Sequence, residues 1–78
     1  MEINAKWSYE LHLNLTGDVI HYHAFGMLMI AFGNCLTDDE EVELEHNAIT
    51  QIELLNFECG AIDEFTFDDT ITLKRIRG

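Results

Sequence analysis

The chain has 78 residues, 47% of them hydrophobic, and fifteen acids against four bases give a net charge of −11. That length accommodates one small core, and the apolar content excludes intrinsic disorder. The longest apolar run, residues 27–32, falls far short of the roughly 20 residues that span a bilayer.

The charge is unevenly placed. Residues 1–37 carry a net −2, residues 38–69 carry twelve acids and no base, and residues 70–78 carry +3 from Lys74, Arg75 and Arg77. One strongly negative face follows, which disfavours direct contact with nucleic acid or an anionic membrane and favours a basic partner. A solvated acidic surface that only keeps a small protein in solution is the competing reading. The first five residues lack the basic and apolar regions of a signal peptide, so a cytoplasmic protein is expected. Cys35 and Cys59 then read as reduced thiols, buried as small hydrophobes, because their spacing fits neither a disulfide framework nor a redox motif.

In chain order, the first element is the clearest. Trp7, Tyr9, Leu11, Leu13 and Leu15 alternate with Ser8, Glu10, His12 and Asn14, the period-two pattern of a half-buried strand. Gly17-Asp18 suits a two-residue hairpin loop, after which Ile20, Tyr22 and Ala24 resume the alternation. That loop sets Leu15 opposite Ile20, Leu13 opposite Tyr22 and Leu11 opposite Ala24. All six share one face. Residues 27–32 are apolar on both faces of a strand, and such a strand needs cover on both sides. A second subunit would supply it, so Met27, Leu28, Met29, Ile30 and Phe32 are the expected homo-oligomer interface.

The middle of the chain reads two ways. Thr37 and Glu40 resemble a capping box, which would open a helix over about 38–55. Against it, Glu41-Val42-Glu43-Leu44-Glu45 alternates strictly and the apolar residues beyond make no clean helical stripe, so a strand is favoured there, with another from Gln51 to Glu58. A short strand from Glu64 to Phe67, a turn at Asp68-Asp69 and a final strand with Ile71, Leu73 and Arg75 on one face complete the reading. The expected fold is therefore all-β, a small antiparallel meander closed into a barrel of SH3-like or Sm-like architecture, or folded as a small sandwich. An α+β fold with a helix at about 38–55 is the alternative. One domain covers residues 1–78.

The two-residue hairpin register has a chemical consequence. It sets His12 across from His23 and Asn14 across from His21, so that His12, His21 and His23 converge where a cross-strand pair and a His-x-His pair could hold zinc, with Glu10 near. Otherwise the three are ordinary solvent-side histidines. No phosphate loop, nucleophile elbow, metalloprotease or calcium-loop spacing occurs, and nothing beyond residue type favours a Cys59–His46 pair. No catalytic residue is assigned and no enzyme activity is expected. The leading expectation is a small acidic binding module, of the inhibitor, immunity-protein or nucleic-acid-mimic type, that engages a basic protein through the 38–69 face. Asp38, Asp39, Glu40, Glu41, Glu43 and Glu45 would be its contact residues, the last three projecting as a row from one strand face. A subunit of a homo-oligomeric Sm-like ring or other assembly, and a zinc-binding protein, are the alternatives.

Overall fold

Apolar and polar residues alternate along β1 (Ser8–Leu13) as the sequence predicts, and the chain returns antiparallel in β2 (Asp18–Tyr22). Three helices follow, α1 (Phe25–Cys35), α2 (Asp38–His46) and α3 (Ala48–Glu58), and then a second hairpin of β3 (Glu64–Phe67) and β4 (Ile71–Ile76). This architecture is that of a computed structural model, which describes residues 7–77. Residues 1–6, on which the signal-peptide reading rests, lie outside the described residues.

The second hairpin docks on the first, so the four strands run in the order β2-β1-β4-β3 with every neighbouring pair antiparallel. One face carries Tyr9, Leu11, Leu73, Phe65, Phe67 and Ile71, and α1 and α3 cover it. Phe32 of α1 meets Phe65 and Phe67 edge-on at 6.1 Å, while Phe25 bridges Tyr9 at 5.6 Å and Phe57 of α3 at 6.0 Å. Leu11, Leu28, Phe57 and Leu73 are fully enclosed. Each such side chain stabilises the fold by about 1.5–3 kcal/mol relative to an exposed one. Among the described residues no helix is long and apolar enough to cross a membrane.

The all-β expectation is therefore wrong: the fold is α+β, and the sheet is open rather than closed into a barrel. Residues 27–32 do not form a strand, for they lie inside α1, where Phe25, Leu28, Phe32 and the capping Leu36 recur at helical spacing and turn toward the sheet. Met27 and Ile30, on the other side of that helix, stay exposed. An apolar run with no polar positions carries no period of its own, and a helix that packs on one side resolves it as readily as a strand does.

The 41–45 alternation is overturned in the same way, because Thr37 caps α2. Its side chain accepts from the Glu40 N–H at 3.2 Å while the Glu40 carboxylate accepts from the Thr37 N–H at 2.8 Å. Asp38, Asp39, Glu40 and Glu41 occupy the first turn, where the helix dipole favours negative charge. Local end-chemistry outweighs a five-residue alternation that has no sheet to join. The helix alternative, drawn over 38–55 as one element, is instead two helices: Asn47 interrupts it and caps α3 by accepting from the Thr50 N–H at 3.0 Å. Beyond α3, Gly60 adopts φ +89° and closes a Schellman motif, with Gly60 N–H bonded to the Phe57 carbonyl and Ala61 N–H to that of Asn56.

The predicted register of the first hairpin also shifts. Four residues, 14–17, separate the strands, so Leu13 faces Asp18, Leu11 faces Ile20 and Tyr9 faces Tyr22. Asn14 is drawn away from β2. Its N–H donates to the Thr70 carbonyl at 2.8 Å and its side-chain amide to Thr72 Oγ1 and the Asp69 carbonyl, so the residue clasps the turn of the other hairpin. The shift is an even number of residues. The side chains that remain in the strands therefore keep their predicted face while losing their predicted partners, whereas Leu15 falls in the turn and Ala24 caps α1.

Candidate functional site

The face of the sheet away from the helices is polar, with Glu10 and His12 of β1, His21 of β2, Thr72 and Lys74 of β4 and Thr66 of β3. Glu10 is its hub. His12 Nε2 donates to Glu10 Oε1 at 2.9 Å, and His21 Nδ1 lies 3.6 Å from Glu10 Oε2. The His12 hydrogen bond holds the Glu10 carboxyl below the usual carboxylate range against a smaller opposing effect of burial, with the charges of His12, His21 and Lys74 assisting.

The expected triple convergence does not form. His12 faces Val19 rather than His23, and His23 lies past the end of β2, just before α1. Among the described residues no three His, Cys, Asp or Glu side chains gather in a way that could hold a metal ion. His46 and Cys59 flank opposite ends of α3, whose eleven residues extend about 16 Å. Neither cysteine is buried as expected, because both fall at helix ends: Cys35 closes α1 and Cys59 caps α3, where its thiol donates to the Asn56 carbonyl.

Sequence reasoning missed the most elaborate polar cluster, around Arg75. The Arg75 side chain is only 2% exposed, its charge 4.6 Å from the Phe57 ring centroid and 5.7 Å from those of Tyr9 and Trp7. It donates to the carbonyls of Phe57 and Ile62 and to Asp63 Oδ1, while its Nε has no partner among the described residues. Arg77 grips both oxygens of Asp63 at 3.0 and 3.1 Å and lies over the Trp7 ring. The Arg77 hydrogen bond, with a smaller contribution from Arg75, holds the Asp63 carboxyl below its usual range. Asp63 is therefore a structural anchor rather than part of a free acidic face. The signal available in the sequence was the position of Arg75 on the same strand face as Ile71 and Leu73, where a charge must find partners.

The helical layer carries the remaining features. All six predicted contact acids, Asp38, Asp39, Glu40, Glu41, Glu43 and Glu45, lie on α2, which has no buried residue. A helix does not align Glu41, Glu43 and Glu45 in a row. Glu41 and Glu45 share a side at spacing i, i+4, and Glu43 turns away. The ion pairs among the described residues involve Glu10 and Asp63, and none involves α2. Between α1, α2 and α3 runs a cleft of about 350 Å³ floored by Met29, Phe32, Leu36, Leu44 and Leu54, with Glu41 and Glu45 on its lip. A second cleft of about 370 Å³ adjoins it across Leu44 and Leu54 and continues past Leu55 to Glu58. Of the five residues expected at an oligomer interface, Leu28 and Phe32 belong to the core, Met29 is half-buried, and Met27 and Ile30 are exposed.

Comparison of the chain with protein-family models, with curated proteins and with solved structures gives no match.

Proposed function

We propose that the protein is a small non-enzymatic binding module whose helical layer engages a basic protein. The observation that carries this reading is α2 itself, a helix secured at its start by a reciprocal cap, bearing six acids and contributing no buried residue to the core. A helix that does so little for the core and holds so much charge outward is suited to contact with something else. Glu10 and Asp63 are engaged differently, Glu10 with histidines and Asp63 with arginines. Long-range attraction to a basic partner speeds association and is screened beyond about 8–10 Å at physiological salt.

The test is affinity capture from the native host at low and raised salt with three forms of the protein. One is unmodified, one carries Glu41→Gln, Glu43→Gln and Glu45→Gln, and one carries Asp18→Asn, Glu64→Gln and Asp68→Asn. A basic protein retained by the first and third forms and lost from the second is the expected result. Equal retention or equal loss in the two triple variants overturns the reading, because net charge alone would then govern.

A further inference from the structure

We infer that the paired clefts between α1, α2 and α3 seat a basic amphipathic helix of the partner, an inference that rests on the binding-module reading and names the form the partner takes. Leu44, Glu45 and Leu54 line both clefts, so the two apolar hollows lie side by side across the packing of α2 on α3 and together offer one extended docking surface. Glu41 borders one hollow, Glu58 the other and Glu45 both, and no basic residue lines either. Leu55 is 60% exposed on the flank. Apolar floor and acidic rim together specify the complement, which is apolar side chains along one stripe with Lys or Arg beside them.

Charge separates the candidate occupants. A second copy of the chain would bring the six acids of α2 against six more, and an anionic lipid surface would meet the same repulsion. An extended peptide would leave its own N–H and C=O groups without partners, since the docking surface is walled by helices and offers no sheet edge. A helix satisfies its backbone internally and presents anchors at i, i+3, i+4 and i+7.

The probe is a synthetic Leu/Lys peptide of about 18 residues, some five helical turns, with its leucines on one stripe. Its control is a scrambled isomer of identical composition. Anisotropy titrations at physiological and at raised salt use the unmodified protein, Leu55→Ser, and the Glu41→Gln, Glu43→Gln, Glu45→Gln variant. Leu55 is exposed enough that its substitution leaves the fold intact, and circular dichroism verifies this. The expected result is at least ten-fold tighter binding of the striped peptide than of the scrambled one, a similar loss with Leu55→Ser, and amide shifts confined to residues 29–58. Equal binding of both peptides, weakened by the Gln substitutions and untouched by Leu55→Ser, overturns the docking surface while leaving the basic-partner reading in place. Binding that ignores the Gln substitutions and salt overturns both, as does no binding of either peptide. A dimer of the protein alone that Leu55→Ser abolishes assigns the docking surface to a second copy instead.

Discussion

The sheet and the outer helix α2 are built on opposite terms. In the sheet, Leu11, Leu73, Phe65 and Phe67 are buried and even the charged Arg75 is enclosed. In α2, nothing is buried, and stability comes from a capping box, favourable charge in the first turn and a half-buried Leu44. The first region is held by what it hides; the second is held by its ends and leaves its sides available. Two regions with such different anchoring should open at different free energies, with α2 at the low end.

The largest expected effect breaks the contrast at its joint. Phe57 ties α3 to the sheet through Phe25 and Arg75, so Phe57→Ala should cost about 3–5 kcal/mol in denaturant unfolding, whereas Val42→Ala, on the exposed side of α2, should stay within about 0.5 kcal/mol. Comparable losses at the two sites would mean that α2 packs as firmly as the sheet. Next is Arg75→Met, which keeps the apolar stem but leaves the Ile62 carbonyl without its donor and the Phe57 carbonyl with only the helix-end N–H groups. About 2–4 kcal/mol of destabilisation should follow, and an unchanged midpoint would show that water replaces the guanidinium at no cost.

Smaller is Thr37→Ala. Removing the cap should weaken α2 by about 1 kcal/mol, visible as faster hydrogen exchange in α2 with β1 and β4 amides unchanged. Faster exchange across the whole chain, β1 and β4 included, would instead make α2 part of the cooperative unit. The smallest is a pH effect. Asp63 and Glu10 titrate below their ordinary values in the folded protein, so the unfolded chain takes up protons first as pH falls. Their stabilisation is fully present above the unfolded carboxyl values near about 4 and is lost as pH falls through the lower folded values. Asp63→Asn should flatten that part of the stability profile, and an unaltered acid limb would remove Asp63 from it.

The two regions also differed in how far the sequence disclosed them. Strand faces were legible because period two survives any even slip: Tyr9, Leu11, Leu13, Ile20 and Tyr22 share the side foreseen for them although every partner shifted. Register was not legible, since it was decided by Asn14 reaching 55 to 58 residues along the chain to Asp69 and Thr72, a contact no local pattern encodes. The pairing of His12 with His23, on which the zinc expectation was built, went with that register. For α2 the decisive signal, Thr37 with Glu40, was in the sequence and was outweighed by an alternation of five residues. For α1, an unbroken apolar run concealed the stripe of Phe25, Leu28 and Phe32 because the residues between them are apolar too. The clefts were beyond reach, because only the packing of α2 against α3 leaves Leu44 and Leu54 half-open.

The pairing of β1 with β4 has a kinetic consequence. Ser8 lies beside Ile76, so the centre of the sheet is assembled from strands near opposite ends of the described chain. An isolated two-stranded hairpin is marginal in water, and the apolar face of β1 and β2 therefore waits without its neighbour until the last strand has been synthesised. Closing so long a loop precedes the contacts that reward it, which slows this topology relative to one whose sheet neighbours are adjacent in sequence. The same adjacency suits the protein to circular permutation. Joining residues near Ser8 and Ile76 by a short linker and opening the chain in the Asn47 break would turn the longest-range pairing into a local hairpin, and folding should accelerate with the sheet unchanged.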